Sequence, residues 1–240
     1  MAEYRRSRHR AVAEVLRALD ATYLRSNHCY FGGGTRIALE LDEYRESQDV
    51  DLLCADLSGY RVMRSQIGER SLGTILAQAP ERLTLMREVR ADQYGIRTIV
   101  GFESEPVKFE IILEARIDLD CEAVPGVPVA CLDRTSCFAE KWLANADRWN
   151  DIAVMARDAI DLAFMLSAWG IAPARAGADR AERAYGAAIR RAAISASATL
   201  IEDRHHRKRC AEALGIEDSK ALLAALRKLA RLVNAPDFAT

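Results

Sequence analysis

The chain has few of the residues that announce special chemistry. Six cysteines, Cys29, Cys54, Cys121, Cys131, Cys137 and Cys210, are spread over 240 residues with no CxxC pair and no Cys/His cluster at zinc spacing. Most have apolar neighbours, so they read as reduced core thiols rather than a disulfide framework. No apolar run approaches the roughly 18 residues that span a bilayer. The basic start, MAEYRRSRHR, has no apolar stretch of signal-peptide type behind it. A cytoplasmic location is the expectation, with no membrane partner. No internal repeat or low-complexity segment stands out, and neither sign of charge dominates, 34 basic residues facing 35 acidic. The balance is uneven along the chain: residues 1–130 sum to −4 and residues 131–240 to +3. An acidic half beside a mildly basic one suits an enzyme that uses metal and handles phosphates or RNA, although charge alone does not decide this.

Apolar side chains recur at helical intervals over 4–25 (Val12, Val15, Leu16, Leu19, Tyr23), which predicts one amphipathic helix. CYFGGGT reads as a short strand entering a turn, IALEL as a short helical stretch and DVDLLC as a strand. Residues 59–79 read as helical, and strands are expected at 83–90, 95–103 and 107–113. CEAVPGVPV marks a boundary. Beyond it the pattern is helical, interrupted only at GIAPARAG (170–177). The expectation is an α+β protein with a mixed α/β unit over 1–128 and a helical unit over 129–240.

The chemistry gathers in FGGGTRIALELDEYRESQDVDLLC, residues 31–54. Residues i and i+2 of a strand share a face, so Asp49 and Asp51 project together while Val50 and Leu52 turn to the core. Two such carboxylates repel unless a cation lies between them, and Mg²⁺ favours a few carboxylate oxygens plus phosphates. A pair of ions roughly 3.5–4 Å apart could activate a hydroxyl and stabilise a leaving pyrophosphate. Gly32, Gly33, Gly34 and Thr35 stand between strand and helix, where backbone N–H groups can cradle phosphate. Arg45 adds a phosphate-pairing fork and Ser47 a hydroxyl. In VKFEIIL, Glu110 stands on the face opposite Val107, Phe109 and Ile111, an awkward place for an acid unless it is paired or binds metal.

GGT at 33–35 followed by RESQDVDLL at 45–53 resembles the signature of the DNA polymerase β-type nucleotidyltransferases, in the form found in the AbiEii/AbiGii toxin group. KFEII resembles the group's third-acid strand, AEKWLANADRW its A-E-K-x-x-A segment and ARDAIDLAFML its R-D-x-x-D-L helix. Together these cover roughly residues 30–168, and the last 70 residues carry no matching motif. Arg36 stands where small or apolar residues are usual, and Glu110 where Asp is frequent. The resemblance implies a polymerase β-like mixed sheet with flanking helices, followed by an all-helical domain that completes the active-site cleft. It also implies an NTP substrate, Mg²⁺ (with Mn²⁺ as a substitute) and release of pyrophosphate. Asp49, Asp51 and Glu110 would be the metal-binding catalytic acids. Gly33, Gly34, Thr35 and Ser47 would hold the nucleotide with Arg45 in support, and Lys141 would bring a point charge to the phosphates. Asp158 and Asp161, at i and i+3 of one helix face, either position Lys141, the base or the acceptor, or form a salt-bridge network with Arg157. Arg148 is open in the same way. Trp142, Trp149 and Trp169 read as packing residues before base-stacking ones, and Arg204–Arg209 as a charged helix surface.

The leading expectation is a toxin that transfers a nucleotidyl group to an RNA such as tRNA, or to a protein, and is neutralised by an antitoxin encoded next door. A small-molecule, antibiotic-type nucleotidyltransferase would share the catalytic half but needs an acidic acceptor pocket. A catalytically inactive nucleotide-binding module would have less reason to retain three acids.

Overall fold

A computed structural model describes residues 4–76, 83–103, 105–236 and 238. The chain divides into two compact units. One is built from the residues up to Glu43 together with Ser47–Asp133, the other from Tyr44–Glu46 and Arg134 onward.

The first unit begins with α1 (Ser7–Ala18) and α2 (Ala21–Ser26), where the sequence predicts a single helix. The break has a local cause. Leu19 leaves the helical region (φ −76°, ψ 145°), and the Asp20 carboxylate then accepts from the Tyr23 N–H at 2.8 Å, capping a new helix. There follow β1 (Cys29–Gly32), α3 (Gly33–Glu40), β2 (Asp49–Cys54) and α4 (Leu57–Ser65). The helix expected to 79 stops with α4. Gly68 and Ser71 form an isolated bridge, and Gly73, at φ +56°, opens a single 3-10 turn that no continuing α-helix accommodates. Residues 77–79 of that expectation lie outside the described residues.

The remaining strands are β3 (Leu83–Leu85), β4 (Arg90–Ala91), β5 (Gly95–Phe102), β6 (Glu105–Leu113), β7 (Cys121–Glu122) and β8 (Cys131–Leu132). They form one mixed sheet in the order β3-β5-β6-β2-β1-β8-β7, with β4 also beside β5. β2 runs parallel to β6 and antiparallel to β1. Residues 129–133 belong with this unit because β8 pairs with β1. The alternation read in the sequence orients the central strands. Val50, Leu52, Val107, Phe109 and Ile111 are buried in one core with Val12, Val15 and Leu16 of α1. Each such side chain contributes about 1.5–3 kcal/mol relative to exposure. That burial commits the intervening positions of β2 and β6 to the other face.

The second unit contains α5 (Arg134–Arg148), α6 (Arg157–Trp169), α7 (Ile171–Tyr185), α8 (Ala188–Glu202), α9 (Arg204–Ala213) and α10 (Ser219–Val233). The expected interruption at 170–177 reduces to Gly170, at φ +86°. Pro173 lies in the first turn of α7, where its missing N–H would have had no intrahelical partner. Gly177 lets α5 approach closely: a Cβ there would stand 2.5 Å from the Phe138 Cβ and 2.8 Å from the Thr135 carbonyl. Trp142 is fully buried and donates to the Ala174 carbonyl at 3.1 Å, Trp169 packs edge-on to Phe138, and Trp149 remains partly exposed. All six cysteines are free thiols. Among the described residues no helix is long and apolar enough to cross a membrane.

Candidate active site

The glycine turn and Asp51 fit each other closely. β1 ends at Gly32 and α3 begins at Gly33, which has φ +68°. A Cβ on Gly33 would lie 2.2 Å from Asp51 Oδ2 and 2.8 Å from its Cβ. Only glycine therefore lets the turn pass this carboxylate. Gly34 and Thr35 continue the first turn of α3, whose leading N–H groups have no intrahelical acceptor. Thr35 is buried, with its Oγ1 2.7 Å from Ser47 Oγ, and it accepts from the Asp49 N–H at 3.3 Å. These two hydroxyls thus fix where β2 starts.

The three acids share one sheet face. Asp51 is the register partner of Gly32 on β1 and of Glu110 on β6, and Asp49 is the partner of Lys108. The Glu110 carboxylate is drawn toward cations, with Arg97 Nε 3.2 Å from Oε1 and the Lys108 ammonium on Oε2. Among the described residues no three His, Cys, Asp or Glu side chains already form a metal-holding group. The donors are nonetheless all carboxylate oxygens on one face, the chemistry Mg²⁺ prefers, and Gly33 sets no Cβ against the Asp51 carboxylate.

The sequence reading did not single out a buried brace behind Ser47. The Ser47 N–H donates to His9 Nε2 at 3.1 Å, and His9 Nδ1 lies 2.7 Å from Glu43 Oε1. Glu43 also accepts from the N–H groups of Arg5 and Arg6 at 2.7 and 3.0 Å. Burial would raise the Glu43 carboxyl, but those backbone donors and His9 hold it below its ordinary value. The available signal was His9 at helical spacing from Val12, Ala13 and Leu16 on the apolar face of α1.

Arg36 was read as a departure from the family pattern. It is buried and pairs with Glu40 one turn on and with Glu122 of β7 at 2.7 Å, so it serves the packing of α3 against the sheet edge.

The second unit holds the other predicted residues in one buried ion cluster. Arg45 grips Asp161 through Nε at 2.6 Å and Nη2 at 2.9 Å, and the Tyr44 hydroxyl donates to the same carboxylate. Lys141 Nζ lies 2.8 Å from Asp158 Oδ1 and 2.7 Å from Asp161 Oδ2, and Arg148 Nε adds a contact to Asp158 at 2.7 Å. Burial would raise both aspartates. Lys141 and Arg148 overcome it at Asp158, as Arg45 and Lys141 do at Asp161, and both carboxyls stay below the ordinary range. Burial would likewise lower the Lys141 ammonium, but its two aspartates raise it, so it stays charged. Arg45, expected beside a triphosphate, instead has its fork engaged by Asp161, because Tyr44–Glu46 belong to the helical unit. The structure therefore brings together Gly33, Gly34, Thr35, Ser47, Asp49, Asp51 and Glu110 in one unit, and Arg45, Lys141, Asp158 and Asp161 in the other.

Comparisons with known proteins speak to the family and the fold. The sequence profile of the family described as nucleotidyl transferase AbiEii toxin, type IV TA system, matches residues 15–239. The fold is similar to that of a candidate nucleotidyltransferase from H. pylori, at TM-score 0.55 and 17% identity over 93% of this chain and 94% of that one. It is also similar to JHP933 from Helicobacter pylori, at TM-score 0.56 and 14% identity over 96% and 93% of the two chains. No curated protein sequence matches.

Proposed function

Given that the chain belongs to the AbiEii nucleotidyltransferase toxin family of type IV toxin–antitoxin systems, we propose that it transfers an NMP from an NTP to a hydroxyl of an RNA such as tRNA, with Mg²⁺ as the metal, and that an antitoxin protein restrains it. The observation that carries this reading is the register row Gly32–Asp51–Glu110, with Gly33 closed against the Asp51 carboxylate. It sets a phosphate-cradling turn beside two acids on one face.

In this reading Asp49 and Asp51 would hold the metal, with Glu110 completing the acidic set. When bound, Mg²⁺ (or Mn²⁺) neutralises phosphate charge and lowers the pKa of a bound hydroxyl. The N–H groups of Gly33 and Gly34 bind non-bridging phosphate oxygens, and Thr35 and Ser47 keep the start of β2 in place beneath them. Glu110 accepts the proton of the acceptor hydroxyl as that oxygen bonds to the α-phosphorus and the bond to pyrophosphate breaks. Within the helical unit, Asp158 and Asp161 keep the Lys141 ammonium charged and oriented, and Arg45 fixes Asp161.

The test is incubation of the full chain with Mg²⁺, each α-³²P-labelled NTP and total tRNA, beside Asp51→Ala. Label entering RNA with the wild type alone is the expected result. Nucleotide binding with no label in RNA would refute the RNA acceptor, and no Mg–NTP binding at all would refute the nucleotide site.

A further inference from the structure

The row that passes through the acids does not end at Glu110. Arg97 of β5 is its register partner on the far side, and Arg90 of β4 is the register partner of Arg97. Directly paired residues of neighbouring strands share a face. One face thus reads Gly32, Asp51, Glu110, Arg97, Arg90 across five strands, with Lys108 two residues before Glu110 on the same side. Arg97 and Lys108 both pair with Glu110, which proves their direction, and Arg97 also reaches Asp92 at 3.3 Å.

The fold gains little from this arrangement. Arg97 and Lys108 are 42% and 52% exposed, so water screens their pairs with the 14%-exposed Glu110 from the cation side and the pairs contribute modestly to stability. Two arginines directly opposite each other repel. A run of cations maintained beside acids at such a cost makes chemical sense when a polyanion lies over it.

We infer that Lys108, Arg97 and Arg90 form a ledge that binds backbone phosphates of the polynucleotide acceptor. This rests on the nucleotidyl-transfer reading given above and names the surface that selects its acceptor. The order of the row separates the two substrates. The glycine turn lies at one end, the acids in the middle and the cations at the other end. Attacking and leaving oxygens stand on opposite sides of the transferred phosphorus. If pyrophosphate leaves toward the glycines, the acceptor enters over Glu110, where the cations begin. The ledge crosses two strand spacings, about 10 Å, room for more than one phosphate at the roughly 3.4 Å axial rise of a nucleic-acid strand. Such a surface repels a polycationic drug. It also gives Glu110 interim partners before metal and acceptor arrive.

The experiment compares full-length wild type with the Arg90→Gln/Arg97→Gln double variant. Arg97 is 42% exposed and Arg90 is exposed, so the variant is expected to fold, which its circular dichroism and melting temperature check. Binding of fluorescently labelled total tRNA is measured by anisotropy over a series of salt concentrations without NTP, and Mg–ATP and Mg–GTP binding is measured separately. The expected result is at least tenfold weaker RNA binding near 0.15 M salt. The slope of log affinity against log salt should fall by about 0.7–0.9 per lost contact, or roughly 1.5 in total. Mg–NTP affinity should stay within twofold of wild type. Unchanged RNA affinity and slope would overturn the ledge, as would a loss confined to Mg–NTP binding, which would assign these arginines to the triphosphate. The enzymatic reading is judged separately by label transfer in the wild type, so a wild type that labels some acceptor while the variant binds RNA normally refutes the ledge alone.

Discussion

Gly33→Ala separates a conformational role of the glycine turn from a chemical one. The new Cβ would stand 2.2 Å from Asp51 Oδ2, so the carboxylate must retreat by about 1 Å or more to reach an ordinary contact. The backbone is strained as well, because alanine at φ +68° costs about 1–3 kcal/mol. For a chain of this size each kcal/mol lowers the melting temperature by about 2–4 °C, so a loss of about 2–12 °C is expected. Misplacing a catalytic group by about 1 Å costs on the order of 100-fold in rate. Gly186→Ala is the matched control. Gly186 also has positive φ, +58°, but nothing lies within 4 Å of its Cβ position. That variant should lose comparable stability and keep its activity. The assay is initial-rate transfer of label from the preferred NTP, run well below both melting temperatures, alongside thermal denaturation of all three proteins. A Gly33→Ala enzyme working within threefold of wild type would refute the claim that this glycine exists to clear the Asp51 carboxylate.

The ion cluster of the helical unit makes three further outcomes measurable. Asp158 and Asp161 have folded pKa values below their unfolded value of about 3.9, so their stabilisation is complete above that value and is lost as pH falls through the folded one. Urea denaturation should therefore show stability falling steeply below about pH 4, with a shallower fall in Asp158→Asn; equal slopes would count against the cluster. Asp161→Ala strands Arg45 in a buried site and should cost about 3–5 kcal/mol. The Arg45→Leu/Asp161→Leu double variant should recover part of that loss in thermal denaturation. Gly177→Ala forces a methyl group against Phe138 and the Thr135 carbonyl and should cost about 1–3 kcal/mol by overpacking, read in the same melts.

Local rules account for what was readable in the sequence. Alternation in DVDLLC and VKFEIIL separates the buried side chains from Asp49, Asp51 and Glu110, because a strand's two-residue period is local and burial decides which side is inside. Caps and left-handed glycines are local too, yet the hydrophobic pattern continues past Asp20 and Gly73 and outweighs them. The interruption expected at GIAPARAG does not extend to Pro173, because a proline's cost depends on which helical turn it occupies. The partner of each charge was hidden. Arg45 next to a D-x-D reads as a phosphate ligand until Tyr44–Glu46 join the helical unit and Asp161, 116 residues away, takes the guanidinium. Arg97 and Arg90 look like ordinary solvated arginines because nothing in the chain states that β4, β5, β6 and β2 lie side by side. Register is set by pairing between distant segments, and it is register that aligns a glycine turn, two acids and two arginines in one row. That Asp49, Asp51 and Glu110 share the face opposite the core was therefore legible from spacing, whereas the row they join was not, because that row belongs to the sheet and not to any one strand.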